Sequence, residues 1–281
     1  MTRLHGLYPE IPMADYLAID ALGSSRLEHL AISPFYYKHM LTRPPVDTEA
    51  TRRGSEFHLA LLEPHLFDKI YWPEPDPKSI RPDAVVPRAT KEYKAAVAAI
   101  EQNGLIVLKQ DECDRIDGMV ASVNAHPVSK AILAAAPERE MTAVWEREAR
   151  ECRGRIDALG DHAMVDIKTT RDLKRFNPYG ITARGYHRQA AWYHDGLRRL
   201  GRDILAAYLI AVESSAPYDV GVFKLGTELL QVGLDECRAL VWKLDQCERD
   251  QVWPGQFPDV VEATLTDAAA LDLSGVTVAE E

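Results

Sequence analysis

Cysteine is scarce in this chain: only Cys113, Cys152, Cys237 and Cys247 occur in 281 residues, and none belongs to a CxxC pair. So few in so long a chain do not make a disulfide framework, and a reducing compartment is expected. Long apolar runs are also missing, and none could span a bilayer. The opening stretch MTRLHGLYPEIPMADY lacks the basic-then-apolar order of an export signal. A cytoplasmic protein with no membrane partner is the expectation. Excess basic charge is absent too: 33 Lys and Arg stand against 43 Asp and Glu, a net charge of −10. Proteins that coat nucleic acid non-specifically carry basic surfaces, so the balance argues against that class. It leaves room for an enzyme that threads DNA through a local basic channel. No internal repeat is visible.

What is present fits an ordinary globular protein, with 46% hydrophobic and 27% charged residues. Helical spacing covers 20–42, with Ser24 or Ser25 as N-cap and Ser33-Pro34 as a break or restart. A second helix covers 51–63, ends before Pro64 and carries His58 beside its apolar face. Five prolines fall within 73–87, which predicts a loop or mobile insertion. Helical periodicity returns at 89–103 and 110–135, around a short apolar LIVL piece. Near residue 140 the period changes. MTAVWERE, CRGRIDALG and HAMVDIKTT read as three strands in meander order, and LAAYLIAVES and YDVGVFKLG as two more. Helices are expected from 178 to about 200 and over 227–250. The second half thus predicts a mixed sheet flanked by helices. The organisation expected is a single unit over 1–281: a mostly helical part at 1–138, the sheet and its helices at 139–258, and a frayed tail at 259–281.

Side chains alternate faces along a strand. Asp157 shares a face with Arg153 and Arg155, while Asp166, Lys168 and Thr170 lie opposite Val165 and Ile167. Pairing the two strands brings Asp157, Asp166 and Lys168 onto one polar surface. Two carboxylates in one place repel unless a cation lies between them, and oxygen ligands suit Mg²⁺ or Mn²⁺. The Ile167 carbonyl could add a ligand, and Lys168 could orient a water or stabilise charge on a phosphate. Alone, D-x-K is equally the signature of a surface ion pair. Gln189 and Tyr193, four apart on one helix, could face DNA or the site, or Tyr193 could be core with Trp192. His58 could be a metal ligand or a satisfied, partly buried histidine.

Together His58, Asp157 in GRIDAL, Asp166-Ile167-Lys168 and Gln189-x-x-x-Tyr193 resemble the PD-(D/E)XK nuclease superfamily, in its RecB-like branch. RGSEFHLALLEP, CRGRIDAL, VDIKTTRDLKRF, YHRQAAWYHDG and the terminal WPG piece are similar to the nuclease domain of the RecE-type exonucleases (exodeoxyribonuclease VIII) of phage recombination systems. The resemblance spans residues 20–258. It implies an α/β (α+β) fold with a restriction-endonuclease-like core, a central mixed sheet flanked by helices. It implies Mg²⁺-dependent 5′-to-3′ digestion of linear double-stranded DNA, leaving a 3′ single strand for recombination. Asp157, Asp166, the Ile167 carbonyl and His58 would hold metal, Lys168 would be catalytic, and Gln189 and Tyr193 would support DNA or the site. The implied partners are DNA ends, a single-strand annealing protein of the RecT type, and further copies of the chain in a ring. Some relatives carry an iron–sulfur cluster on four cysteines, three near the C-terminus. No third cysteine follows Cys237 and Cys247, so no cluster is expected, and both read as small buried hydrophobes. Arg52, Arg53, Arg153, Arg155, Lys174, Arg175, Arg184 and Arg188 are candidates for phosphate contacts. Two other readings stay open: a catalytically inactive DNA-binding or scaffold protein on the same fold, and a structure-specific or defence endonuclease.

Overall fold

Proline and capping residues punctuate the first half. In the computed structural model, which describes residues 5–43 and 48–260, strand β1 (Gly6–Tyr8) is followed by α1 (Met13–Ala18) and α2 (Ser24–Ile32). Ser33 then accepts a hydrogen bond from the Tyr36 amide and Pro34 opens α3 (Pro34–Leu41), so the 20–42 segment is two helices divided at the break expected at Ser33-Pro34. Thr48 caps α4 (Glu49–Leu62), and Pro64 starts α5 (Pro64–Ile70). The proline-rich stretch is more ordered than expected. It follows β2 (Tyr71–Pro73) and contains α6 (Pro77–Ile80), whose cap is Asp76. Then come α7 (Lys91–Glu101) and β3 (Ile106–Leu108), which pairs in parallel with β2. The expected 110–135 helix divides into α8 (Gln110–Ala125) and α9 (Pro127–Ala135), because Pro127 cannot donate to the preceding turn.

The second half builds the sheet: β4 (Glu138–Arg147), β5 (Arg150–Leu159), β6 (Ala163–Thr170), α10 (Pro178–Ala183), α11 (Tyr186–Arg199), β7 (Ala206–Glu213), β8 (Val220–Lys224) and α12 (Thr227–Asp250). Gly185, at φ +70°, separates α10 from α11 where one helix was expected. The six strands lie in the order β1-β4-β5-β6-β7-β8. The β6–β7 pair is parallel and the other neighbours are antiparallel, so the sheet is mixed. The edge strand β1 was not foreseen; three residues are too few to show a period.

Helices cover both faces. On one, Leu27 and Leu30 of α2, Trp192 and Leu197 of α11 and Val241 and Leu244 of α12 pack on Ile156, Met164 and Leu209. On the other, Phe57 of α4, Met119 and Val123 of α8 and Leu133 of α9 pack on Val165, Ile167 and Ile210. Val165 and Ile167 thus face opposite to Met164, as strand alternation requires. Burial of this order, about 25 cal/mol per Å² of apolar surface, holds the layers together. Cys152 and Cys237 lie in the first cluster, and Cys247 is buried as well. No helix of the described residues is long and apolar enough to cross a membrane. The tail expected at 259–281 lies, from residue 261 on, outside the described residues.

Candidate metal and active site

The sheet opens at one place. β4 and β5 pair almost end to end, and so do β6 and β7. Between them, β5 and β6 pair only at Ala158↔Val165 and Leu159↔Met164. Continuing that register by one residue sets Asp157 opposite Asp166. On the other side, the β4–β5 register sets Glu140 opposite Asp157, at the one position its ladder skips. Three carboxylates on neighbouring strands therefore form one transverse row. Like charges placed directly across strands repel, and the ladder gives way there. Glu140 has φ +49°, a left-handed conformation that costs a non-glycine residue about 1 kcal/mol or more and is found where a site holds it.

Side chains fill the opening. Asp157 Oδ2 accepts the Ile167 amide at 2.6 Å, replacing a lost strand bond. His58 reaches over from α4, with Nδ1 3.6 Å from the same oxygen. Lys168 Nζ lies 2.6 Å from Asp166 Oδ2 and 5.1 Å above the centre of the Tyr186 ring. Glu140 receives Arg155 Nε at 2.5 Å. Glu140, Asp157 and Asp166 are all buried. Burial, then the charges of Asp166 and Glu140, push the Asp157 carboxyl well above the usual carboxylate range. Burial and the nearby Lys168 charge hold His58 below its ordinary value, which favours the neutral imidazole that binds metals. Burial works against the Lys168 ammonium, but Asp166 and Asp157 outweigh it and keep it charged.

This donor set fits a divalent cation. One ligand atom from each of His58, Glu140 and Asp157 lies within 4.8 Å of the others. Oxygen and imidazole donors around a carboxylate reluctant to ionise are what a hard cation would relieve. Asp166, expected as a ligand, is engaged by Lys168 beside this set, and Ile167 enters through its amide. Glu140 was not foreseen. The signal was available: counting back from the Glu148-Ala149 turn places residue 140 opposite residue 157.

Gln189 and Tyr193 come together behind the row. Gln189 Nε2 donates to the Tyr193 hydroxyl at 3.1 Å, and Ser24 Oγ is 3.2 Å from that hydroxyl. Tyr193 is a buried member of the core, and burial foremost pushes its phenol up to about 12. Its ring lies so close to β5 that a Cβ on Gly154 would stand 2.6 Å from it.

Four of the eight residues expected at phosphates, Arg153, Arg155, Arg184 and Arg188, are instead tied to groups of the fold, which corrects the expectation for them. Arg153 is buried, donates to the carbonyls of Tyr16 and Ile19 and lies over the Tyr16 ring. Arg155 joins Glu140 to the Ile11 carbonyl. Arg184 donates to the carbonyls of Arg175 and Gly180. Arg188 forks onto Glu28 and also reaches Glu236. Sequence neighbours do not reveal such partners, which come from distant helices. Arg53 pairs with Glu49 and Arg52 with Glu56, each one turn away on α4, and Arg175 is exposed near Asp172. Lys174 lies in the same short 3₁₀ turn, Leu173–Arg175.

Comparison with known proteins agrees with this architecture. No curated protein matches the chain. Among solved structures, it is similar to a "putative exonuclease" from Eubacterium rectale, with a TM-score of 0.63 and 12% identity over 95% of this chain and 99% of that one. At that identity the likeness shows a shared fold. The structure of SSO0001 aligns with a TM-score of 0.29 and 17% identity over 72% of this chain and 96% of that one, too slight a likeness to carry weight. The family model described as "PDDEXK-like domain of unknown function (DUF3799)" matches residues 23–260. With most of its length inside that match, and a six-stranded mixed sheet between helices, the chain belongs to this PDDEXK-like family.

Proposed function

We propose that this protein is a metal-dependent deoxyribonuclease that digests linear double-stranded DNA from its ends. The observation that carries the reading is the row Glu140–Asp157–Asp166 with Lys168 at 2.6 Å from Asp166, set where the sheet opens. His58, Glu140 and Asp157 would hold a divalent ion, Mg²⁺ by the oxygen-rich donor set, with Mn²⁺ as an alternative. Such an ion supplies Lewis-acid stabilisation of the charge that develops on a phosphate under attack. Lys168, kept charged and aimed by Asp166, donates a hydrogen bond to the attacking water or to a phosphate oxygen. Asp166 fixes that ammonium. Tyr193, Gln189 and Ser24 lock α11 and α2 behind the strands, so the row keeps its spacing.

The finer assignment draws on the ordered likeness to the RecE-type nucleases. On that basis digestion runs 5′ to 3′ and leaves 3′ strands for an annealing protein of the RecT type, in the cytoplasm. A ring of several copies around the duplex would keep the enzyme on its substrate. The test is to incubate the pure protein with linear and covalently closed duplex, in Mg²⁺ or EDTA. Loss of the linear DNA alone, only with metal, is the expected result. Cutting of closed circles would replace the exonuclease by an endonuclease. Binding without any metal-dependent loss would make the protein an inactive scaffold.

A further inference from the structure

Helix α4 carries a glycine that the protein's own packing does not explain. Gly54 lies inside a 14-residue helix, where glycine is about 1 kcal/mol worse than alanine. Where glycines serve packing here, an added Cβ would collide: 2.6 Å from Tyr193 at Gly154, 2.5 Å from the His187 carbonyl at Gly233. At Gly54 the first atom met is Thr169 Oγ1, at 4.0 Å, an ordinary contact. The helix bears an unfavourable residue with room to spare. Such a glycine marks a place where something outside the fold approaches the backbone closely.

Its position says what approaches. Gly54 is four residues before His58 and so lies on the same face of α4, one turn toward the N-terminus. Thr169 follows Lys168 directly on β6 and is half-buried. Its hydroxyl has no hydrogen-bond partner among the described residues. Bare backbone of α4 and an unused hydroxyl of β6 therefore lie side by side, with the space of one added Cβ between them. His58 follows one turn along the same face of α4.

We infer that Gly54 and Thr169 form the floor of a slot for the sugar–phosphate backbone of the strand being cut, which lies across both, with Thr169 Oγ1 donating to the phosphate next to the scissile one. The inference rests on the nuclease reading and adds a substrate-positioning pair to it. Glycine is required because any side chain on α4 would occupy the space of the sugar. A slot of this kind contacts backbone and not bases, so it positions without reading sequence.

The test measures three things for the wild type, Gly54→Ala, Gly54→Val and Thr169→Val: melting temperature, binding of a short fluorescein-labelled linear duplex in EDTA, and its digestion in Mg²⁺. Gly54→Ala is expected to raise the melting temperature by about 2–4 °C. It should weaken duplex binding and slow digestion by about tenfold each, the cost of losing a charged hydrogen bond. Gly54→Val should lose more, and Thr169→Val about threefold to tenfold in binding. A stable Gly54→Ala variant that binds and digests like the wild type overturns the slot. So does a fall in its melting temperature, which would return the glycine to a packing role. If the wild type binds the duplex but never cuts it, the nuclease reading fails, while weaker binding by Gly54→Ala still supports the slot. A wild type that does not bind DNA overturns both.

Discussion

Helix α11 borders two polar clusters of opposite character, one partly exposed and one buried. On one side Arg188 donates to both Glu28 and Glu236, and His187 Nε2 lies 3.0 Å from Glu236. Burial raises the Glu236 carboxyl, yet Arg188 and His187 outweigh it and hold it below its ordinary value. On the other side, Asp157 faces Asp166 and Glu140 and is pushed far up. Both clusters are made of carboxylates and cations, though burial weighs more heavily on the second. The first is closed, because each acid has its base. The second is left short of positive charge, with Lys168 given to Asp166 and Arg155 to Glu140. A closed cluster fixes helices to one another. An unbalanced one, with a strongly shifted carboxyl, is what functional sites show.

The comparison breaks first at Lys168. Lys168→Ala should lower DNA digestion by about 10³-fold, or about 4 kcal/mol of transition-state stabilisation, in a protein that still melts cooperatively. A variant digesting at the wild-type rate would remove the site from this corner. Next is Arg188→Ala, on the closed side. Because the pair is partly exposed, about 2 kcal/mol of stability is expected to go, read by denaturant melts, with digestion per folded molecule unchanged. Full stability with lost DNA binding would instead return Arg188 to the phosphates. Glu140→Gln is smaller again. It should raise the Mg²⁺ concentration for half-maximal activity about tenfold, and an unchanged titration would take Glu140 out of the donor set.

The smallest effect is a slope with pH. The folded value of Asp157 lies above its unfolded value, so its contribution to stability is complete below 3.8 and is lost as pH rises through the raised value. In EDTA the wild type should therefore lose stability relative to Asp157→Asn as pH rises above 3.8, and Mg²⁺ should flatten the difference. Glu74, held down to about 2 chiefly by its Arg88 hydrogen bond, acts with the opposite sign and only below 4.5. Above 4.5 Glu74 adds no further slope, and only the Asp157 effect remains. Parallel melting curves of wild type and Asp157→Asn in EDTA would refute the unbalanced charge.

Much of this could be read ahead. The alternation of VDIKTT placed Asp166 and Lys168 opposite Val165 and Ile167, and that is where they lie relative to the core. Pro34 marked a helix restart and Pro64 a helix end, as observed, though the helix that Pro64 begins was not foreseen. Pro127 and Gly185 did the same but were passed over, because apolar spacing continued across both. Glu140 precedes the alternating stretch that begins at Met141, so no strand period reaches it in the sequence. The arginines were misplaced because charge and proximity in sequence say nothing of which distant carbonyl or carboxylate lies within reach. Arg153 shows this best: its partners are at Tyr16 and Ile19, more than a hundred residues away.

The sequence by itself determined the periods: which residues alternate on strands, which share a helix face, and hence that acids and a lysine collect on one polar surface. These are local properties of φ and ψ, and they need no partner. Only the tertiary structure decided the register that aligns Glu140, Asp157 and Asp166 and parts β5 from β6 beside them. It alone decided that four arginines close the fold and that Gly54 stands free across from Thr169. Register, ion pairing and the width of a gap depend on chain segments far apart, brought together by burial, and no local pattern encodes that distance.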